Sequence, residues 1–191
     1  MMAAMDDDVR ALVEALHGAP ALATLAVTGA GSRALAWLLA VGGASRTVLE
    51  ATVPYAASST SGYIGFAPDE FASVEVASAL ARSARLRSVD LASDAPGGLI
   101  GLGCAAAIAT DRTKRGDHRA FVGIDSGGVE LTTHALNLKK GARDRDGEEE
   151  LVSRLILNAL AAASGLEARL DLPLLAGEQV LTAAAPREPR A

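Results

Sequence analysis

The sequence predicts an α/β domain with helices on both faces of a mixed β-sheet. Apolar residues at positions 9, 12, 13 and 16 form the stripe of an amphipathic helix. Residues 99–107 are apolar on both faces, which is typical of a central strand covered by helices. The Asp-Ser-Gly-Gly segment at residues 125–128 separates two β-rich segments and predicts a hairpin, so part of the sheet is antiparallel.

The other elements follow from periodicity and from glycine and proline breakers. Strands are predicted at residues 21–27, 46–53, 99–107, 119–124 and 129–138. Helices are predicted at residues 9–16, 33–41, 68–87 and 148–163, with a short one at residues 56–65 as an alternative to a loop. Pro68 is taken as the first residue of its helix, where proline is favoured. The pattern fades after Gly165, so we expect a domain over residues 1–166 and a partly disordered C-terminal extension over residues 167–191.

Composition excludes several classes of protein. Of the 191 residues, 50% are apolar and 21% are charged, so the chain can bury a core and is not wholly disordered. The net charge of −5 argues against binding to nucleic acids or anionic membranes, because phosphate binding depends on clustered Lys and Arg.

The single cysteine, Cys104, excludes an internal disulfide and a multi-cysteine zinc site. The three consecutive aspartates at residues 6–8 stand where a signal peptide would need positive charge. The longest weakly polar stretch, residues 97–109, is too short to span a bilayer. We therefore expect a cytoplasmic protein with no membrane segment, no metal and no cofactor.

A glycine turn after the first strand is the first candidate site. Thr28 ends the strand, and the turn that follows can present backbone N–H groups and a helix N-terminus to an anion. Its residues are Gly29, Ala30, Gly31 and Ser32. Together with Ala34 and with Glu50 further on, the spacing also matches a dinucleotide fingerprint. The alternative is a turn whose glycines only let helix and strand pack closely.

A basic run after the central strand is the second candidate site. It lies where open α/β sheets bind ligands, and an Arg side chain offers two parallel donors to a phosphate or carboxylate. Its candidate ligand-binding residues are Arg112, Lys114, Arg115, His118 and Arg119. The alternative is a solvated surface loop.

Other catalytic patterns are absent from the sequence. It has no Gly-x-Ser-x-Gly nucleophile motif. None of the three histidines has the partner at i+4 that a helical metal pair requires. Cys104, in an apolar strand, is expected to be a packing residue.

Several segments together resemble the CinA C-terminal domain family, whose active members are nicotinamide mononucleotide amidohydrolases. Val-Gly-Gly-Ala-Ser at residues 41–45 is similar to the family's Val-Pro-Gly-Ala-Ser, and Val-Pro-Tyr at residues 53–55 to its Val-x-Tyr. Counted back without a gap, Thr28 falls on the serine of the family's Glu-Ser-x-Thr-Gly-Gly segment. The diverged eukaryotic form, often found ahead of a nucleotidyltransferase-like domain, also has a Lys-Arg-Gly-x-His-Arg run like residues 114–119.

The resemblance implies a three-layer α/β/α sandwich with Thr28 as nucleophile and Tyr55 as acid–base. It also shows departures. The family's serine is Thr28, its preceding glutamate is Val27, and its lysine five residues after the tyrosine is Thr60. The tyrosine itself is present, but a phenol needs a cationic neighbour to act as a base. Arg112 or Lys114 could supply that charge.

Two hypotheses follow. In one, the chain is a diverged amidohydrolase that cleaves the carboxamide of a pyridine nucleotide. In the other, it binds a nucleotide or related phosphate ligand, or serves as an oligomerisation module, without catalysis. A small NAD-binding Rossmann domain is a third alternative, which the predicted hairpin disfavours. We also expect a homodimer or higher homo-oligomer, both from the family and from Trp37 on a short, alanine-rich helix.

Overall fold

The computed structural model describes residues 5–111 and 116–187, and within them a mixed sheet of six strands lies between two layers of helices. The strands are β1 (Leu22–Thr28), β2 (Val48–Thr52), β3 (Leu99–Ala107), β4 (His118–Asp125), β5 (Glu130–Leu138) and β6 (Gln179–Pro186). The helices are α1 (Asp7–Gly18), α2 (Ser32–Ala40), α3 (Ala57–Ile64), α4 (Val74–Ala92) and α5 (Arg145–Ala163), with a 3₁₀ turn at Ala44–Arg46.

The strand order across the sheet is β2-β1-β3-β4-β5-β6. β1 pairs in parallel with both β2 and β3, and the strands from β3 to β6 pair antiparallel with their neighbours. The predicted α/β class, the mixed sheet and the three-layer arrangement are confirmed. The antiparallel half also distinguishes this sheet from the uninterrupted parallel pattern of a Rossmann domain.

The two faces of the sheet are packed differently. The core between the sheet and helices α1, α2 and α5 contains most of the large buried aliphatic side chains, among them Leu25 and Leu102 of the sheet and Ile156 of α5. The face covered by α3 and α4 is lined by small residues, with Ala26, Ala77 and Ala105 in its buried cluster. Because alanine-rich surfaces allow close approach, α4 lies almost directly on the backbone of the sheet.

Glycines in β3 make this close approach possible. A Cβ at Gly103 would lie 2.3 Å from the carbonyl oxygen of Ala77 in α4, and one at Gly101 would lie 2.1 Å from that of Ala81. No side chain fits at such distances. The glycines of the central strand therefore set the spacing between α4 and the sheet.

The predicted start of α4 is wrong. Pro68 precedes a turn, and the helix begins at Val74, where the Ser73 side chain accepts a hydrogen bond from the amide of Val76 at 3.2 Å. A serine that caps a helix satisfies one of its free amides, and this local bond sets the boundary. The helix also continues to Ala92, beyond the predicted end at residue 87.

The C-terminal extension contributes a strand to the sheet. β6 pairs antiparallel with β5, and Leu170, which precedes it, is buried in the main core. Glu178 fixes the start of β6 by accepting hydrogen bonds from the amides of Lys139 and Leu175 and from the Arg143 guanidinium. Burial alone would raise the pKa of Glu178, but these hydrogen bonds outweigh burial and hold the pKa below its ordinary value.

No helix in the described ranges is both long enough and apolar enough to cross a membrane.

Candidate functional site

The glycine turn joins β1 to α2 at the carboxyl edge of the parallel strands. Gly29 and Gly31 both have positive φ, +84° and +100°. A Cβ at Gly29 would lie 1.9 Å from the carbonyl oxygen of Ala106, and one at Gly31 would lie 2.2 Å from Ile156 Cδ1. The positive φ angles therefore favour glycine at both positions, and at Gly29 the backbone of β3 also leaves no room for a side chain.

A carboxylate from α5 occupies the N-terminus of α2. The Gly31 amide donates to Glu149 Oε1 and Oε2 at 3.1 and 3.0 Å, and the Arg33 amide donates to Oε1 at 3.1 Å. The Ser32 hydroxyl donates to the same oxygen at 2.8 Å. The position where the sequence predicts a bound anion is thus filled by a side chain of the protein itself.

Arg145 lies beside the turn at the start of α5. Its Nη1 donates to the carbonyl oxygen of Ala109 at 2.8 Å, and its Nη2 to that of Gly29 at 3.3 Å. Both acceptors are neutral, so neither contact neutralises the positive charge of the guanidinium. Arg145 joins the end of the central strand, the glycine turn and α5 at one point.

A small pocket opens above this point, with a cavity volume of about 50 Å³. Tyr55 and Val53, which follow β2, form one wall, and both are largely exposed, Tyr55 at 64%. The remaining lining residues are Val27, Gly29, Ala30, Ser32, Arg145 and Glu149. The structure thus brings Tyr55 and the predicted glycine turn together.

Thr28 lies on the other side of the sheet edge. It is paired with Ala105 of β3 and is 9% exposed. Two residues earlier in the strand, Ala26 packs in the cluster beneath α4, and strand side chains alternate between faces. Thr28 therefore points toward α3 and α4, whereas Tyr55 lines the pocket on the side of α2 and α5.

Thr60 stands at the position of the family lysine. It is buried in α3, and its hydroxyl donates to the carbonyl oxygens of Pro54 and Ala56 at 2.6 and 3.3 Å. This bonding fixes the chain that carries Tyr55 against the first turn of α3. The threonine has a structural role where the family has a charged group.

The two described residues of the predicted basic run, His118 and Arg119, lie on opposite faces of the sheet. His118 points toward α5, where its Nδ1 lies 2.7 Å from Glu148 Oε1 and its ring is buried. Arg119 points toward α4, forms an ion pair with Glu70 and lies over the ring of Phe121, 5.7 Å from its centroid. Neither side chain lines the pocket. Arg112, Lys114 and Arg115 lie outside the described residues.

The other groups singled out from the sequence have structural partners. Glu50, the acidic residue of the dinucleotide pattern, pairs with Arg87 of α4 at 3.1 Å and lies away from the turn. Cys104 is fully buried, and burial together with the Glu149 charge raises the pKa of its thiol, which disfavours the thiolate form that a nucleophile needs. Within the described ranges, no three His, Cys, Asp or Glu side chains are grouped so that they could hold a metal ion.

The two charged residues of the pocket, Arg145 and Glu149, are not identified by the sequence. Both stand in the first turns of α5, far from the glycine turn along the chain. The only signal in the sequence is the density of charges at residues 143–150, which resembles an ordinary solvated helix start. Packing of α5 against α2 brings these charges to the turn.

Solved structures with a similar fold are competence/damage-inducible and CinA superfamily proteins. CihA of Agrobacterium tumefaciens is 16% identical with a TM-score of 0.66, over 85% of this chain and 99% of that one. The CinA superfamily protein of Enterobacter cloacae is 16% identical with a TM-score of 0.63, over 86% and 99%. That of Escherichia coli is 15% identical with a TM-score of 0.60, over 85% and 95%. No protein-family model and no curated protein matches the sequence. The chain therefore has the CinA-like fold.

Proposed function

We propose that this chain is a CinA-like domain that binds a small nucleotide or related phosphate ligand, of the pyridine nucleotide class, without hydrolysing it. The observation that carries the proposal is the position of Tyr55 and Arg145 on one pocket at the carboxyl edge of the parallel strands. Ligands of open α/β sheets bind at this edge. The exposed aromatic ring of Tyr55 can stack on the ring of a nucleotide, and the guanidinium of Arg145 can bind its phosphate.

The ring of the ligand stacks on Tyr55. The tyrosine side chain is 64% exposed, and Val53 beside it is 51% exposed. Their apolar surfaces have no partner among the described core clusters. A flat heteroaromatic ring covers such a surface, and base–aromatic stacking contributes about 1–3 kcal/mol.

The phosphate binds Arg145 and not the N-terminus of α2. The Glu149 carboxylate already takes the amides of Gly31 and Arg33, and a second anion there would meet its negative charge. Among the described residues, Arg145 donates only to neutral carbonyl oxygens, which a phosphate can replace with charge-assisted hydrogen bonds. Because Glu149 also lines the cavity of about 50 Å³, the phosphate binds on its Arg145 side, and the rest of the ligand lies over the open rim at Tyr55.

Three features support the absence of hydrolysis. Thr28 points to the opposite side of the sheet edge from the pocket. Thr60 replaces the family lysine and is committed to backbone carbonyls. The three histidines bond elsewhere, to Thr47, Glu148 and Thr182. A hydroxyl without a general base is a weak nucleophile.

Titration calorimetry with nicotinamide mononucleotide and with its riboside, which lacks the phosphate, tests the proposal. Arg145→Ala is expected to weaken binding of the mononucleotide by about ten- to a hundred-fold, because a charge-assisted contact contributes about 1.5–3 kcal/mol. Binding of the riboside should change little. Arg169→Ala is the matched control, because Arg169 is exposed and likewise donates only to carbonyl oxygens, those of Leu166 and Ala168.

Equal losses for the two ligands in Arg145→Ala would contradict the phosphate role, since they would report a general change in the pocket. If the parent chain binds neither the mononucleotide nor the riboside, the proposed function as a whole is contradicted.

A further inference from the structure

β6 forms one edge of the sheet, and among the described residues β5 is its only partner strand. All of its residues except Val180 are exposed. Leu181, near its middle, is 54% exposed. An exposed edge strand of this length is a template for pairing with another strand.

The backbone groups on the free side of β6 can be assigned. The Arg187 amide, directly after the strand, donates to the carbonyl oxygen of Val129, so odd-numbered residues of β6 face β5. The N–H and C=O groups of Val180, Thr182 and Ala184 therefore point away from the sheet. Pro186, which has no N–H, stands at the end of this free side and limits the pairing to these three residues.

Within residues 5–111 and 116–187, β6 has none of the features that usually protect an edge strand. Residues 179–186 contain no charged side chain, and register with β5 runs without a bulge from Gln179 to Pro186. The opposite edge of the sheet differs. β2 has only five residues, and among them Glu50 is paired with Arg87. The long, uncharged edge is the β6 edge.

We propose that β6 pairs antiparallel with β6 of a second copy of this chain about a two-fold axis at Thr182, so that two sheets join into one. When two copies of β6 pair antiparallel about this axis, the faces covered by α5 lie on the same side of the joined sheet in both copies. Each residue of one strand is then opposite one particular residue of the other. Thr182 meets the Thr182 of the other copy, and Val180 meets Ala184. The outward N–H and C=O groups of all three residues are then satisfied.

The side chains fit this register. On the face toward α5, two threonines lie side by side, a favourable cross-strand pair, flanked by Val180 against Ala184. On the face toward α4, Leu181 lies beside Ala183, which shields part of the exposed leucine. Because residues 179–186 carry no charge, the two copies of β6 do not repel each other anywhere along their free edges. Trp37 is partly buried and packs against the main core.

Light scattering and cysteine cross-linking of the full chain test this interface. The parent chain should have twice the mass of one 19.4 kDa chain at high concentration. Thr182→Lys should raise the dimer dissociation constant by about ten-fold or more, because two like charges face each other across the axis. Val129→Lys is the control, because this residue is 86% exposed but lies outside β6, and it should leave the constant unchanged.

Thr182→Cys should form a disulfide-linked dimer under mild oxidation, since opposed residues in an antiparallel pair lie at disulfide distance. The buried native Cys104 does not compete. Val129→Cys, although more exposed, should stay uncross-linked. A parent chain that remains at 19.4 kDa at every concentration would overturn the proposal. So would a dimer whose dissociation constant is unchanged in Thr182→Lys, or cross-linking that is as fast at position 129 as at position 182.

Discussion

The carboxylate of Glu149 satisfies three donors at the start of α2: the amides of Gly31 and Arg33 and the hydroxyl of Ser32. It acts as a capping group supplied by another helix, and it offsets the positive end of the α2 dipole. The sequence predicts the anion-binding character of the turn. It does not reveal that a residue 118 positions away occupies it.

Glu149→Ala should have two opposite effects. It leaves amides of α2 without an acceptor and is expected to lower the free energy of unfolding by about 0.5–2 kcal/mol. It also opens the helix N-terminus, so affinity for inorganic phosphate should rise. Urea unfolding and phosphate titration measure the two effects.

Glu14→Ala is the control for the loss of a negative charge, because Glu14 is exposed on α1 and does not line the pocket. It should change stability by less than about 0.5 kcal/mol. A Glu149→Ala variant that binds phosphate no better than the parent would show that the turn has no anion affinity of its own.

The element that departs most from its sequence signals is α4. Pro68, Asp69 and Glu70 form a typical helix start, yet the helix begins at Val74 because the Ser73 hydroxyl caps it. Pro68 and Ser73 are both typical of a helix start, and the sequence alone does not show which of the two the helix uses. By contrast, β3 has the predicted bounds, because an apolar run between glycines and a charged loop leaves no alternative.

The sequence does not predict β6, because its residues show only a weak preference for a strand. Val180, Leu181 and Thr182 favour a strand, but three consecutive alanines follow, and alanine has no preference for strands. Pairing with β5 and the bonds of Glu178 determine its conformation. Structure that depends on a distant partner cannot be read from local propensity.

The close packing of α4 on the sheet can be tested by adding a Cβ to β3. Gly103→Ala would place a Cβ 2.3 Å from the Ala77 carbonyl oxygen, so α4 must shift, and we expect a loss of about 1–3 kcal/mol in unfolding free energy. Gly128→Ala is the matched control, since its Cβ would meet nothing within 4 Å. Thermal and urea unfolding compare the two variants. Equal stability of the two would contradict the close packing described for this helix.

At the scale of the whole molecule, the sheet brings residues from separate segments to one edge. Tyr55 follows β2, the glycine turn follows β1, and Arg145 and Glu149 come from α5. The sequence predicted the first two of these through their motifs, because glycines and the Val-Pro-Tyr segment are local signals. The α5 residues depend on how helix and sheet pack, and no local signal encodes that.

This chain shares its fold with the similar proteins, but it does not share the catalytic residues of the family that it resembles. The CinA-like fold tolerates about 16% identity because buried positions need only suitable apolar residues. A catalytic site needs particular groups, and Thr28 and Thr60 stand where the resembling family has serine and lysine. Function therefore rests on the site and not on the fold.

An assay for ammonia released from nicotinamide mononucleotide separates binding from hydrolysis. Hydrolysis would add water to the carboxamide carbon, break its C–N bond and release ammonia. The parent chain should bind the mononucleotide in calorimetry and release no ammonia above a protein-free blank, and Thr28→Ala should bind equally well. Ammonia release by the parent chain above that blank would contradict binding without hydrolysis, and loss of that release in Thr28→Ala would identify Thr28 as the nucleophile of an amidohydrolase.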